Sequence, residues 1–274
     1  MTDLDGVGHG TTLAGRYRLE ERLHAAEHTA MWRAVDVMLD RPVGVRLVDA
    51  PLAADALDAA RRVSVVEDPR LLRVLDVGTE PGSDVSYIVW EFATGESLAT
   101  RLQRGPLPAE RVRALVGEVS RALDRADAAG LHHGRLTPAS LVLTPDDGVK
   151  VVGLGVDATL TPEGVDTADG PAAAREDAVR LVALLYAGLT ARWPFGAVDG
   201  VAAAPLVGGQ PAPPADLVPG VPNDLDTLCT VTLGPHDDGP RSPGELAEQL
   251  APWGHRTTPA PDRAGQEAET RPAG

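Results

Sequence analysis

The chain has 274 residues, 43% of them hydrophobic, with 25 basic against 40 acidic side chains and a formal net charge of −15. That is material for one two-lobed domain or two small ones, and the acidic balance, with no run of Lys or Arg, argues against nucleic acid or an anionic membrane as partner. A single cysteine, Cys229, excludes an intrachain disulfide framework and a Cys-rich zinc site.

Residues 1–15 (MTDLDGVGHGTTLAG) are small and polar, carry no secretory signal and read as a flexible arm. YRLEERL, AMWRAVDVML and VGVRLV then read as strands, the last two joined by a DRP turn. PLAADALDAARRVSVVED has helical spacing at Leu57, Ala60 and Ser64. RLLRVLDVG and VSYIVWEFA are two further strands across the turn-rich TEPGSD. SLATRLQRG reads as a short helix. PAERVRALVGEVSRALDRADAAG reads as a long one, with Val112, Leu115, Val116, Val119, Leu123 and Ala126 on one face and Gly130 after its end. SLVLTPDDGVKVVGL is a hairpin across Pro-Asp-Asp-Gly. EDAVRLVALLYAGLTA is an almost wholly apolar, buried helix opening on Asp177, too short to be a membrane span. A Pro/Gly-rich loop at 196–222 precedes a helix pair in NDLDTLCTVTL and PGELAEQLAPW, and 254–274 has the composition of a disordered tail. GVGHG at 6–10 follows no strand, and the adjacent His132 and His133 lack ligand spacing, so neither reads as a cofactor or metal site.

The order of these pieces resembles the eukaryotic-like Ser/Thr protein kinases of bacteria, in particular those of the actinobacterial type. The stretches that carry the resemblance are GRYRLEERL, WRAVDVMLDRPVGVRLV, EDPRLLRVLDVG, YIVWEFATGESLATRL, AGLHHGRLTPASLVL and REDAVRLVALLYAGLTARWPF, together spanning Arg16 to Trp253. The resemblance implies an α+β, protein kinase-like bilobal fold: an arm at 1–15, a β-rich N-lobe at 16–92, a mainly helical C-lobe at 93–253 with a shortened activation segment, and a tail at 254–274.

It also implies where phosphoryl-transfer groups should stand, and at each place this chain departs from the pattern. The glycine positions of the phosphate-covering turn hold His24, Ala26 and Thr29. The lysine position of the third strand holds Arg46, which keeps the charge on a longer, forked group. The helix glutamate that should hold it falls at Ala59, with Asp58 turned away by about 100° on a helix. Arg135 stands where the catalytic base is expected and cannot accept a proton. Ser140 stands for the metal-binding Asn, Thr137 for a lysine, and Gly153 for the metal-binding Asp. Asp157, two residues beyond Gly155, is expected to point elsewhere unless the turn is rebuilt. Trp90 falls at the gate of the adenine pocket and is expected to close much of it. Lys150, the only lysine, and Asn223, the only asparagine, lie away from the chemistry, and Lys150 reads as a solvated strand residue.

On these grounds the chain is expected to be catalytically inactive, with no cofactor and no metal: a pseudokinase acting as an interaction domain in phosphorylation or cell-envelope signalling. The alternatives are a metal-independent nucleotide-binding switch and an atypical transferase. Among kinase-like chains it resembles most the degenerate domains of actinobacteria associated with the lipid II flippase, through SVVEDPRLLRVLDV and GLHHGRLTPASLVL. That kinship implies a protein partner, either an active Ser/Thr kinase or a forkhead-associated domain protein, with Thr257, Thr258 and Thr270 as possible phosphoacceptors. It also implies a cytoplasmic place, near the inner membrane face through a partner or a further segment.

Overall fold

The computed structural model describes residues 6–160, 170–236 and 238–253. A sheet is built from β1 (Thr12–Leu13), β2 (Tyr17–Ala26), β3 (Thr29–Asp36) and β4 (Arg41–Val48), the β-branched residues falling chiefly in β3 and β4. After the helix α1 (Ala50–Val63), the chain adds β5 (Val74–Thr79) and β6 (Ser86–Glu91). The strands lie antiparallel in the order β1-β2-β3-β4-β6-β5. Period-two alternation divides β4 between two faces. Val43, Val45 and Leu47 join Tyr17, Leu19, Trp32 and Val89 in a cluster on one face. Val48 joins Ile88 and Trp90 in the larger core on the other, so Arg46 is carried on that second face.

The outer cluster is closed by Leu13, which is 1% exposed, with Val7 packed against it. The backbone there is also held, Gly10 N–H donating to Leu19 O and Leu19 N–H to Thr11 O, both at 2.8 Å. The described part of the expected arm is therefore a strand and turn on the sheet. One buried leucine among polar neighbours supplies the anchor.

α1 starts at Asp49, whose carboxylate accepts from Ala50 N–H at 2.9 Å, and it buries Ala56, Leu57, Ala59, Ala60 and Val63. Beyond it the loop at 64–73 is tied down by charge. Asp68, wholly buried, pairs with Arg125, and Arg70 Nε donates to Glu118 at 3.3 Å.

The second half holds β7 (Glu96–Ser97), α2 (Leu98–Leu102), α3 (Ala109–Ala128), β8 (Leu141–Leu143), β9 (Val149–Val151) and α4 (Pro171–Thr190). There follow β10 (Leu206–Val207), β11 (Gln210–Pro211), α5 (Pro214–Leu217), α6 (Asn223–Thr232) and α7 (Pro243–Leu250). β7, β8 and β9 form a small sheet beside α2. α4 opens at Pro171, not at Asp177. Proline at the first turn and three alanines after it extend the helix by two turns, and Asp177 becomes an interior residue. α3 and α4 approach closely because Gly188 faces Val112 with no side chain between them, and Gly117 of α3 lies under the ring of Trp253. One apolar core runs from Val48, Ile88 and Trp90 of the sheet, through α1, α3 and α4, to Leu250 and Trp253. The protein is thus an α+β fold in which one antiparallel sheet packs on a helical half. No helix of the described residues is long and apolar enough to cross a membrane.

Candidate active site

The candidate site lies where the inner face of the sheet meets the β8–β9 hairpin and the turn that follows it. Arg46 points into this junction from β4. Its Cζ lies 5.9 Å from the ring centroid of Trp90, and its Nη1 lies 2.8 Å from Asp157 Oδ1. The two charged side chains are 17% and 19% exposed. Despite the short distance, the contact is not an aligned hydrogen bond: Arg46 Nε and Asp157 Oδ1 are buried and have no hydrogen-bond partner among the described residues. Charge holds this pair more than geometry does.

Asp157 reaches Arg46 because residue 153 is glycine. Gly153 has φ +83°, and a Cβ built on it would run into the Asp157 carboxylate. The turn folds back through Asp157 N–H to Gly153 O at 2.9 Å and Val156 N–H to the same oxygen at 3.0 Å. The expectation that Asp157 points elsewhere is therefore corrected. The missing side chain at 153 opens the space, and a five-residue turn, 153–157, delivers a carboxylate into it.

The other expected positions can be placed in the same way. Ala59 is buried in α1, while Asp58 faces solvent and pairs with Arg61 at 2.7 Å, leaving Asp157 as the partner of Arg46. Trp90 is 2% exposed and stands opposite Gly44 in register. His24 and Ala26 are exposed strand residues, and Ala26 pairs with Thr29 across a two-residue turn. The tip of that hairpin is docked on α1, with His28 Nδ1 at 3.4 Å from Asp49 Oδ2 and Asp49 N–H donating to His28 O at 3.0 Å. Thr257, Thr258 and Thr270 lie outside the described residues.

The loop at 131–140 is fixed from below. Asp177 accepts from His133 N–H at 2.7 Å and from Gly134 N–H at 2.9 Å. Burial pushes its carboxyl upward, against the pull of His133 and of these donors. The His133 ring is buried, with Nε2 at 2.9 Å from Val152 O, and Leu136 is fully buried. Ser140 spends its hydroxyl on the loop itself, accepting from Thr137 N–H at 3.1 Å in a capping box. Arg135 is exposed. Lys150, expected to be solvated, forms an ion pair at 2.9 Å with Glu91 at the end of β6, joining the small sheet to the strand that leaves the large one.

A divalent metal of the kind the resemblance implies does not fit these side chains. Ser140 and Gly153 offer no carboxylate, Asp157 is engaged by a guanidinium, and no group of three or more His, Cys, Asp or Glu side chains with metal-site geometry occurs among the described residues.

No family model matches the chain. It is 30% identical over 253 residues to serine/threonine-protein kinase PknL of Mycobacterium bovis, an alignment covering 82% of this chain and 62% of that protein. It is 27% identical over 293 aligned positions to serine/threonine-protein kinase PknA of Mycobacterium tuberculosis, covering 94% of this chain and 68% of PknA. A probable serine/threonine-protein kinase of Clostridium acetobutylicum is 26% identical over 157 residues, covering 54% of this chain and 23% of that protein. The chain thus spans about three fifths of the length of PknL. These comparisons correct the expectation of a catalytically inactive interaction domain that is not an enzyme. The proteins to which most of the chain aligns are named as kinases, and nothing in the fold or the alignments shows inactivity. Substitutions read one position at a time against a motif pattern do not by themselves show that activity is lost, and the chain aligns along most of its length with proteins named as kinases. Over most of its length the chain is thus similar to bacterial serine/threonine protein kinases.

Proposed function

We propose that the chain is the nucleotide-handling domain of a Ser/Thr protein kinase-type phosphotransferase acting in phosphorylation signalling, with a sheet lobe at 16–92 and a helical lobe at 93–253. One observation carries this reading: the guanidinium of Arg46, borne on a central strand, faces the turn at 153–157 in a largely buried junction. Phosphoryl transfer passes through a loose transition state, and the protein contributes mainly positioning and charge stabilisation.

Each residue of the site has a physical task in this reading. Arg46 offers forked N–H donors to phosphate oxygens, with its Cζ 5.9 Å from the centroid of the Trp90 ring. Asp177 and His133 hold the loop that would present the acceptor hydroxyl, through the backbone bonds to His133 and Gly134. Gly153 leaves room at the turn. Arg135 cannot take up a proton, so the acceptor hydroxyl has no base at that position.

The test is transfer from γ-labelled ATP to a Ser/Thr-containing acceptor protein and to the chain itself. Transfer is expected from the native chain, with a loss of about 100-fold in Arg46→Ala, the scale of removing one charge-stabilising donor. Ser140→Ala, which touches only the loop's own capping, is the control for an indirect effect. Absence of both nucleotide binding and transfer in the native, folded chain would remove this reading.

A further inference from the structure

The contact between Arg46 and Asp157 has a second consequence, which rests on the reading of Arg46 as the phosphate-facing group. We propose that Asp157 is an autoinhibitory latch: its carboxylate occupies the anion position of Arg46, and the phosphates of a nucleotide must displace it. The carboxylate contributes one misaligned contact at 2.8 Å, and Arg46 Nε and Asp157 Oδ1 have no hydrogen-bond partner among the described residues. A phosphate group presents several oxygens and satisfies the guanidinium fork through two parallel bonds. The better acceptor and the resident carboxylate compete for one cation, and both cannot hold it in the same place.

The latch sits on a segment suited to release. Asp157 opens a single turn of 3-10 helix, Asp157–Leu160, pinned through Gly153 by two backbone bonds and through Thr159 N–H to Val156 O at 2.9 Å. Gly153 and Gly155, at φ +83° and +64°, are the joints of this turn. Gly155 fits against Val63 at the end of α1, where a Cβ would lie 3.1 Å from Val63 Cγ2. The carboxylate is thus admitted by Gly153, and the turn that carries it rests on α1 through Gly155. In the proposed release, rotation at the two glycines, which lie beyond the end of β9 at Val151, withdraws the carboxylate.

Isothermal titration of the native chain, Asp157→Asn and Arg46→Ala with ATP, and with adenosine as the phosphate-free control, tests the proposal. Asp157→Asn is expected to bind ATP about tenfold more tightly than the native chain, the gain from releasing a largely latched population. Adenosine affinity should not change, and Arg46→Ala should abolish the gain in the double variant. If the native chain binds ATP and Asp157→Asn binds it equally or more weakly, the latch is overturned while the nucleotide reading stands. If neither binds ATP, both fall. A measurement that needs no variant is amide hydrogen exchange. Saturating ATP should speed exchange at Val156, Asp157 and Thr159, and unchanged protection with nucleotide bound overturns the latch.

Discussion

Asp36 shows how much one carboxylate can hold. It is buried, accepts from Arg16 Nε at 2.9 Å and Nη2 at 2.7 Å, and takes Met38 N–H at 3.2 Å. The Arg16 guanidinium, against the opposing effect of burial, holds its carboxyl below the ordinary 3.8. Because the folded value is depressed, the stabilisation is fully present above 3.8 and is lost as pH falls below it through the folded value. Asp36→Asn should therefore lower stability at neutral pH and flatten its decline in acid, read from urea midpoints across the acid range. Asp177 acts differently. Its carboxylate stops one buried and one half-buried backbone N–H, of His133 and Gly134, from being orphaned. Asp177→Ala is expected to cost about 3 kcal/mol in chemical denaturation, since unsatisfied buried donors cost about 1–3 kcal/mol each. It should also cost nucleotide-dependent activity by freeing the loop.

Among the elements, α3 and α4 set the spacing of the helical half. Gly188 lies so close to Val112 that an added Cβ would stand 2.6 Å from Val112 Cγ1. Alanine is the better helix former by about 1 kcal/mol, but overpacking a core costs about 1–3 kcal/mol. Gly188→Ala should therefore destabilise by urea titration, and Val112→Ala in the same chain should recover part of the loss. Additive effects of the two substitutions would show that the helices do not meet there. The hairpin β2–β3 makes the complementary point. Its tip carries no glycine, runs as paired strand to Ala26 and Thr29, and is docked by His28 against the N-cap of α1.

For the whole molecule, the decisive feature is that one core crosses from sheet to helices. Trp90 belongs to the sheet, Trp193 and Trp253 to the helical half, and all three are members of the same cluster. Unfolding followed by tryptophan fluorescence and by far-ultraviolet circular dichroism is expected to give coincident transitions. Two separated transitions would show that the halves are held apart and melt alone. The long-range ion pairs support the first outcome: Arg125 with Asp68, Arg70 with Glu118 and Lys150 with Glu91 tie the segments flanking the sheet to α3 and β9.

Much of this architecture is legible without coordinates. Alternating residues in YRLEERL and VGVRLV give the strands, the apolar face of RVRALVGEVSRALDRA gives α3, and GLHHGRLTPASLVL places the loop and hairpin in order. These signals are local, set by backbone period and turn chemistry, so the sequence alone determines them. It equally determines which side chain stands at each position: Arg46 on β4, Arg135 and Ser140 on the loop, Gly153 at the turn. What it does not determine is where groups distant along the chain meet. Leu13 inside the sheet, Lys150 against Glu91 and the carboxylate of Asp157 against Arg46 each depend on a register or a turn fixed by packing around it. A glycine at 153 reads along the chain as a lost carboxylate. In the folded protein it is the space that lets another carboxylate in, because only the tertiary structure decides what fills a gap that one residue leaves.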